Sequence, residues 1–339
     1  MKEAILYDHL DGKRAHCRVC ARLCYIDDGK RGYCWARENR NGNIYSLIYN
    51  KVSSMNADPI EKKPVFHYHP GSYIYSAGTW GCNLRCIHCQ NWEIACVDPT
   101  PHLSSLEDVT PEELVNMALL NDCRGIAWTY NEPTIWLEYT IDSAKLARER
   151  GLYTVYVTNG YATAEAVDAI GPFLDVYRVD IKAFNNETYM KLARVPDMGP
   201  ILECTLRAAK IWHAHIEVVT NLIPTFNDDE SQLTSMATWI AKNLGSDTPW
   251  HVTRFFPYGD LSYLEPTPIE RLEWARQIGM DSGLRYVYIG NVPGHLSQNT
   301  YCPSCGALAV ERSLSGVVRV LLTKEGRCPK CGEKLSIVL

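Results

Sequence analysis

The sequence predicts an α/β fold, a partial (β/α) barrel with a small cysteine-rich unit at each end. From about Tyr73 onward, apolar β-prone segments alternate with helical segments, which is typical of a parallel sheet with crossover helices. About seven strands can be counted, an uneven number for a closed eight-fold barrel, so a partial barrel fits better. All but three of the 14 cysteines fall into groups before, within and after this region. We therefore divide the chain into units 1–72, 73–299 and 300–339.

Length, charge and cysteine usage exclude several classes of protein. The 339 residues suffice for one barrel-sized core with small additions. A net charge of −5 gives no sign of the basic face of a nucleic-acid-binding protein. No apolar run approaches the roughly 18 residues of a membrane span, and the first residues do not resemble a secretory signal. We therefore expect a cytoplasmic protein that binds neither nucleic acid nor membranes.

In a reducing compartment, 14 cysteines indicate metal or redox sites rather than a disulfide framework. Four of them, in the N-terminal unit, are Cys17, Cys20, Cys24 and Cys34. A structural zinc site of four thiolates would hold together a segment that has little apolar core of its own. A second iron–sulfur cluster would accept the same four ligands, so both interpretations remain open, and we prefer zinc, which predicts about four irons and about two zincs per chain. The three cysteines outside the groups are expected to pack as small buried hydrophobes: Cys96, Cys123 and Cys204.

Further predictions concern individual elements. Asn41-Gly42 predicts a hairpin turn, and the apolar stretch Ile44–Ser53 predicts a strand. Capping boxes with Pro at the first helical position predict two helix starts, at Thr110–Glu113 and at Thr267–Glu270. The predicted barrel strands are Tyr73–Gly78, Gly125–Thr129, Tyr153–Thr158, Val176–Ile181, Ile216–Leu222, Trp250–Phe255 and Tyr286–Ile289. The other predicted helices are Thr134–Arg150, Thr163–Ile170, Glu187–Leu192, Pro200–Trp212 and Ser231–Leu244.

The loop after the first barrel strand holds Cys82, Cys86 and Cys89 at the spacing Cys-x3-Cys-x2-Cys. Three thiolates can hold three irons of a [4Fe–4S] cluster, which normally has four thiolate ligands, and leave the fourth iron open. The open iron can chelate an amine and a carboxylate together, such as the methionine end of S-adenosylmethionine. An electron from the cluster then breaks a carbon–sulfur bond and leaves a 5′-deoxyadenosyl radical. A zinc site could use the same cysteines, but the flanking Gly-Cys-Asn and Gln-Asn favour the cluster.

In a barrel, functional side chains lie at the C-terminal ends of the strands. The residues after the second to fifth strands are therefore candidate cofactor ligands: Asn131, Glu132, Asn159, Asp180, Lys182 and Asn221. Glu132 can accept charge-assisted hydrogen bonds from the cofactor ammonium, although it could instead cap the following helix. Asp180 and Lys182 could equally form an internal ion pair.

The last two strands supply candidate substrate ligands: the sixth strand carries His251 and Arg254, and Asn291 follows the seventh. The guanidinium of Arg254 suits a carboxylate or phosphate, because its planar fork binds oxyanions through two hydrogen bonds. For His251, a core histidine held by one hydrogen bond is the commoner alternative.

The C-terminal unit contains two Cys-x2-Cys-Gly hooks, which provide Cys302, Cys305, Cys328 and Cys331. The stretch between them, Ala309–Thr323, alternates like a β-hairpin. Two such hooks indicate a zinc ribbon, and zinc is favoured over a rubredoxin-like iron site that would use the same ligands.

The cysteine loop resembles that of radical S-adenosylmethionine (SAM) enzymes, and the whole chain resembles their AmmeMemoRadiSam-system family, related to pyruvate formate-lyase activating enzymes. The segments that carry the likeness are Asp58–Pro64, Cys89–Ile94, Tyr130–Thr134, Gly290–Gly294 and the terminal hooks. In this likeness His88 stands where the family has an aromatic residue against adenine, and Tyr130-Asn131-Glu132 stands for Gly-Gly-Glu.

The resemblance implies a barrel of the radical SAM type, a [4Fe–4S] cluster and SAM cleavage. The resulting radical would abstract hydrogen from an unidentified small molecule or protein side chain. Alternatively, the protein would be an activase that makes a glycyl radical on a partner enzyme. We expect an electron donor such as flavodoxin or ferredoxin, and the family name points to Memo-type and AMMECR-type partners.

Overall fold

The computed structural model describes residues 1–98, 107–313 and 316–339. Its N-terminal part consists of short strands: β1 Lys2–Glu3, β2 Tyr7–His9, β3 Ala15–Cys17, β4 Tyr25–Ile26, β5 Arg37–Arg40, β6 Asn43–Ser46, β7 Lys51–Val52 and β8 Ser54–Pro59. Within the described residues, β1–β6–β5 and β2–β3–β4 form two antiparallel sheets. The cysteines of the N-terminal group lie on β3 and on the loops between these strands.

The hairpin predicted at Asn41-Gly42 is confirmed, since these residues join β5 to β6 with φ values of 55° and 93°. The single strand predicted for Ile44–Ser53 is wrong, because the chain turns between β6 and β7. Lys51 N donates to Ile48 O across this turn (2.9 Å), and Asn50 has a φ of 65°.

The barrel strands are β9 Tyr73–Gly78, β11 Gly125–Trp128, β12 Tyr153–Thr158, β13 Val176–Asp180, β14 His215–Leu222, β15 Trp250–Arg254 and β16 Val287–Gly290. Between β9 and β11, the short strand β10 Glu107–Asp108 pairs antiparallel with β7 and lies outside the barrel sheet. In the part of the chain that the structure describes, β9 and β11 to β16 form the seven predicted parallel strands, in chain order. The sheet is open, because its two edge strands, β8 and β16, do not pair with each other in the described ranges. The predicted partial barrel is confirmed.

The sheet begins before the predicted boundary at residue 72. β8 pairs antiparallel with β9, from Ser54 opposite Gly78 to Pro59 opposite Tyr73, and so extends the parallel strands at their edge. Strand–helix alternation cannot reveal such a strand, since only the short 3₁₀ helix Ile60–Lys62 separates β8 from β9.

The helices are α1 Trp92–Ala95, α2 Pro111–Leu120, α3 Leu137–Glu149, α4 Ala164–Ile170, α5 Asn186–Ala193, α6 Gly199–Lys210, α7 Glu230–Asn243 and α8 Ile269–Asp281. The capping box of α2 is confirmed, because Thr110 Oγ1 accepts from Glu113 N (3.2 Å) and the Glu113 carboxylate accepts from Thr110 N (2.7 Å). The capping box predicted for α8 is wrong. Thr267 is fully buried, and its hydroxyl instead donates to Leu222 O and accepts from Phe255 N (3.1 Å), which joins the ends of β14 and β15.

The C-terminal unit contains β17 Thr300–Tyr301, β18 Leu308–Ser313 and β19 Gly316–Val320, paired antiparallel. The hairpin predicted within Ala309–Thr323 is confirmed as β18 and β19, and residues 314–315 between them lie outside the described residues. Across the described ranges, no helix has the length and apolar character needed to cross a bilayer.

A buried carboxylate, Glu217 on β14, organises the barrel interior below the strand ends. Its oxygens accept hydrogen bonds from Phe66 N (2.8 Å) and His67 N (2.7 Å). His215 Nε2 (3.0 Å) and His251 Nε2 (2.6 Å) also contact them. Burial alone would raise the pKa of Glu217, but the two histidines hold it well below its ordinary value. Glu217 therefore attaches the segment after β8 to the inside of the sheet.

His251, a predicted substrate ligand, belongs to this interior. It is the second residue of β15 and is 1% exposed, and its ring meets that of Phe66 edge to face (4.7 Å). Arg254 ends the same strand, so His251 lies away from the C-terminal edge where functional side chains were expected. The placement is that of a core histidine.

The buried side chain of His67 makes the free energy of unfolding depend on pH. His67 is fully buried, with Nδ1 3.0 Å from Ser336 O and Nε2 2.6 Å from the Tyr288 hydroxyl, and burial lowers its pKa to about 3. The folded protein keeps the ring neutral, whereas the unfolded chain takes up a proton below its ordinary pKa of about 6.5. We therefore expect His67 to make the free energy of unfolding fall as the pH drops from about 6.5 toward 3, by up to ~1.4 kcal/mol per pH unit.

Denaturant titrations at a series of pH values check this expectation. His67→Asn should lower stability at neutral pH and flatten its pH dependence, while His213→Asn, in an exposed turn, should leave the slope unchanged. Both variants keep every cysteine, so a loss of bound metal at low pH would affect both equally and would not produce a difference between their slopes. Equal slopes in His67→Asn and the parent protein would contradict the expectation.

Candidate functional site

The cysteine loop follows β9 at the C-terminal edge of the sheet and is held by side chains from neighbouring strand ends. Asn131, after β11, donates from Nδ2 to Gly81 O (2.8 Å) and accepts from Thr79 N (3.2 Å). Asn83, inside the loop, is fully buried and donates to Tyr161 O (2.8 Å) after β12. Asn131 therefore positions the loop through its amide, and its predicted role as a cofactor ligand stays a prediction.

Asn159 lies directly beside the first cysteine of the loop. Its Nδ2 is 3.8 Å from Cys82 Sγ and donates to Asn83 Oδ1 (2.9 Å), while Leu84 N donates to the same sulfur (3.4 Å). Both donors favour a thiolate at Cys82. Asn83 was missing from the predicted site residues, although the Gly-Cys-Asn flank contained it.

The three loop cysteines are partly buried. Burial raises the pKa of Cys82 and raises that of Cys86 to about 11. At neutral pH these two thiols therefore keep their protons unless a metal replaces them.

A fourth thiol meets this loop. The short helix α1 brings Cys96 back to the loop, where its thiol shares a hydrogen bond with that of Cys89. Cys96 was expected to pack as a small buried hydrophobe, and it is instead partly exposed beside a predicted cluster ligand. Nothing in its sequence spacing indicated this. Cys123 and Cys204 are buried as expected.

Glu132 connects the ends of β11 and β12. One carboxylate oxygen accepts from Thr134 N (2.9 Å) and from the Thr158 hydroxyl (2.7 Å), and the other accepts from Asn159 N (2.7 Å). The side chain is 1% exposed, and burial raises its pKa. Glu132 therefore caps the following 3₁₀ turn and also supports Asn159, so its cofactor-binding role stays a prediction.

Charged residues at the end of β13 lie next to the loop. Asp180 accepts from Arg178 Nη1 (2.5 Å) and from Lys182 Nζ (3.0 Å). Burial works to lower the pKa of Lys182, but Asp180 and the sulfur of Cys86 outweigh it and raise the pKa above its ordinary value. The predicted pair is thus an internal ion pair that also holds a positive charge beside Cys86, a predicted cluster ligand.

His88 is buried between the second and third cysteines of the loop. Burial lowers its pKa to about 3, with Lys182 adding to the effect, and its Nδ1 has no hydrogen-bond partner in the described part of the chain. The neutral ring therefore offers a flat face and an unused nitrogen beside the cysteines.

The remaining predicted residues meet at the ends of β14, β15 and β16. Asn221 Nδ2 donates to Arg254 O (3.2 Å) and to the Thr253 hydroxyl (3.1 Å), and Asn291 Nδ2 donates to Arg254 O (3.1 Å). The Arg254 guanidinium donates from Nε to Thr267 O (2.9 Å) and remains partly exposed. Both asparagines hold the strand ends, and Arg254 is the cation left facing outward.

Asn227 links Asn221, at the end of β14, to Lys182, which lies beside the cysteine loop. It is buried, and its Nδ2 donates to Lys182 O (2.7 Å) and to Asn221 O (2.8 Å). It was not among the predicted site residues, because an asparagine after a strand carries no distinguishing sequence signal.

The four C-terminal cysteines form a compact set. Cys302 Sγ lies 3.6 Å from Cys331 Sγ, Cys305 Sγ lies 3.7 Å from Cys328 Sγ, and all four sulfurs are within 4.8 Å of one another. Four sulfurs at the zinc bond length of about 2.3 Å form a tetrahedron with edges of ~3.8 Å. The arrangement therefore suits one metal ion.

The barrel region of the chain resembles known proteins. A family model described as the Radical SAM superfamily matches residues 78–239, which run from the end of β9 through most of α7 and include the cysteine loop. This chain belongs to the radical SAM superfamily. The N-terminal and C-terminal cysteine groups lie outside the matched residues.

Several relatives extend the comparison. The uncharacterized protein MJ0808 of Methanocaldococcus jannaschii is 43% identical over 340 residues, with both chains covered completely. The pyruvate formate-lyase-activating enzyme of Clostridium pasteurianum is 26% identical over 175 residues, 48% of this chain and 67% of that protein. The putative glycyl-radical enzyme activating enzyme MJ1632 of M. jannaschii is 24% identical over 223 residues, 63% of this chain and 77% of that protein.

The structure of a radical SAM methyltransferase from Sphaerobacter thermophilus matches with a TM-score of 0.50 and 16% identity, over 71% of each chain. This likeness concerns the radical SAM fold alone. The loop fits the cluster of that superfamily, because it presents three soft sulfur ligands, a buried cation and amide donors at one edge of the sheet.

Proposed function

We propose that this protein reductively cleaves SAM at a [4Fe–4S] cluster on Cys82, Cys86 and Cys89, and that the resulting 5′-deoxyadenosyl radical abstracts hydrogen from a small molecule or a protein side chain. The observation that carries the proposal is the meeting of the three thiols with Asn159 and Lys182 at the C-terminal edge of a radical SAM barrel. The cluster and SAM would supply the electron and the radical, and the chain would bind, orient and shield them.

The chain's own residues divide these tasks. Asn131 and Asn83 hold the loop in place, and Glu132 supports Asn159 beside Cys82. The positive charge of Lys182 next to the loop favours anionic ligands, whether cluster thiolates or the carboxylate of SAM.

Two further residues would meet the organic parts of the reactants. His88 would contact the adenine through its neutral face. Arg254, at the far side of the edge, is available to a carboxylate or phosphate of the substrate.

Anaerobic incubation with SAM and dithionite tests the proposal. We expect release of 5′-deoxyadenosine and methionine in amounts that exceed the protein, measured by liquid chromatography. Addition of cell extract in deuterated buffer, followed by a search for compounds that lose or exchange hydrogen, would identify the substrate. Absence of 5′-deoxyadenosine from protein with a full iron content would contradict the proposal.

A second candidate is an activase that makes a glycyl radical on a partner enzyme. It is favoured by the relatives whose names describe activating enzymes of pyruvate formate-lyase, isethionate sulfite-lyase and a glycyl-radical enzyme. An electron-spin resonance doublet from a glycyl radical on a co-purified partner, formed only with SAM and reductant, would select this function over a small-molecule substrate.

We also propose protein partners, an electron donor and a metal for the C-terminal cysteines. The likeness to AmmeMemoRadiSam-system enzymes supports Memo-type and AMMECR-type partners, and flavodoxin or ferredoxin would supply electrons in the cytoplasm. For the compact set Cys302, Cys305, Cys328 and Cys331, we propose structural Zn²⁺, on the sulfur spacing. Co-purification tests the protein partners, including the electron donor, and elemental analysis tests the zinc.

A further inference from the structure

The four N-terminal thiols surround one cavity. Cys17, Cys20 and Cys34 are buried, Cys24 is partly buried, and all four line a cavity of about 10 Å³ together with Arg37. A volume of this size takes about one water-sized sphere. Four sulfurs drawn to a single zinc ion at about 2.3 Å leave no such space between them. The sulfurs therefore stand further apart around this cavity than they would around one zinc ion.

A backbone donor reaches one of these sulfurs. Tyr33 N donates to Cys24 Sγ (3.4 Å), as Leu84 N does to Cys82 Sγ in the cluster loop (3.4 Å). A metal centre bound by the four cysteines would replace the protons of their thiols.

Arg37 adds a cation with an unused donor. It is 1% exposed and pairs with Glu138 through Nη1 (2.9 Å) and Nη2 (2.7 Å). Its Nε, also buried, has no hydrogen-bond partner in the described ranges. Buried donors are normally satisfied, so this N–H on a cavity-lining residue points to an acceptor held in the cavity, such as the sulfide of an iron–sulfur cluster.

The spacing of the sulfurs separates the two interpretations left open by the sequence. In residues 1–98, 107–313 and 316–339, only the C-terminal cysteines bring three or more potential ligand atoms within 4.8 Å of one another. No three of the four N-terminal sulfurs lie within this distance of one another, and the same holds for the three sulfurs of the cluster loop. In a cubane each thiolate bonds a different iron, so its ligands stand further apart than those around one ion.

We propose that Cys17, Cys20, Cys24 and Cys34 bind a second iron–sulfur cluster. It would lie next to the first: Arg85 donates to Tyr33 O (2.5 Å) and to Cys82 O (2.7 Å), and a Cβ on Gly81 would come within 2.5 Å of Cys34 O. The N-terminal unit is thereby a cluster domain packed directly against the SAM-binding loop.

Iron and zinc analysis of the full chain, reconstituted anaerobically, tests this site. We expect about eight irons and about one zinc per chain, and about four irons in the Cys82→Ala, Cys86→Ala, Cys89→Ala variant, which leaves the N-terminal unit intact. Its remaining iron should give the Mössbauer spectrum of a [4Fe–4S] cluster. The Cys17→Ala, Cys20→Ala variant should also keep about four irons, and a Cys123→Ala, Cys204→Ala control should keep all of them.

About four irons with about two zincs in the parent protein, or a triple variant free of iron, would overturn the second cluster. The readout is metal content, so it does not depend on the proposed SAM chemistry. Protein with eight irons that fails to cleave SAM would contradict only the proposed function. Because the triple variant does not touch the N-terminal cysteines, a folding failure of the Cys17→Ala, Cys20→Ala variant leaves the test intact.

Discussion

Replacement of Cys82, Cys86 and Cys89 together by alanine should abolish SAM cleavage, the largest effect expected from any change in this chain. Without thiolates the loop cannot hold the cluster that superfamily membership implies. Production of 5′-deoxyadenosine with dithionite should fall to the background of free iron and sulfide, at least a thousandfold below the parent protein on the ~4 kcal/mol scale of an essential group.

The matched control is Cys123→Ala, Cys204→Ala, which removes thiols from the barrel core and none from the loop. It should retain cleavage, and the C-terminal zinc content should be the same in both variants. Full activity of the triple variant would show that the loop does not carry the reaction.

Glu132→Gln should have the second largest effect. The carboxylate accepts from two backbone N–H groups and one hydroxyl, whereas the amide has one oxygen and turns its NH₂ group toward a donor. We expect the variant to keep the cluster and to bind SAM more weakly by ~1.5–3 kcal/mol, a loss in affinity of roughly ten- to a hundredfold.

Thr158→Val distinguishes a cofactor role from a structural one. It removes one donor to Glu132 and leaves the carboxylate and both N–H donors in place. If Glu132 contacts the cofactor, Thr158→Val should lower the melting temperature with nearly unchanged SAM affinity, measured by calorimetric titration. A loss of stability in both variants with affinity unchanged in both would assign Glu132 to the support of β11 and β12 alone.

The proposed second cluster changes how such experiments are interpreted. An iron assay on the whole protein would count both centres, so a variant of the loop that retains iron is not evidence of an intact SAM site. The nearness of Cys34 to Gly81 also implies that changes in one cysteine group can disturb the other. Cys96, whose thiol meets that of Cys89, should be kept in every variant of the loop for the same reason.

The sequence by itself determined the features that depend on near neighbours. Strand–helix alternation predicted the parallel strands, Asn41-Gly42 predicted its hairpin, and the spacings of the three cysteine groups predicted where metals would bind. These signals are visible because side-chain period, turn geometry and ligand spacing are properties of short segments.

The tertiary structure alone decided which distant groups meet. It added β8 to the sheet, drew Thr267 away from its predicted cap, and buried His251 against Glu217. It placed Asn83 and Asn227 at the site. It also distinguished the four C-terminal sulfurs, which lie close together, from the N-terminal and loop sulfurs, which do not. The contacts of Thr267, His251, Asn83 and Asn227 join groups that are more than thirty residues apart in the chain. No local pattern encodes which distant partner satisfies a given polar group.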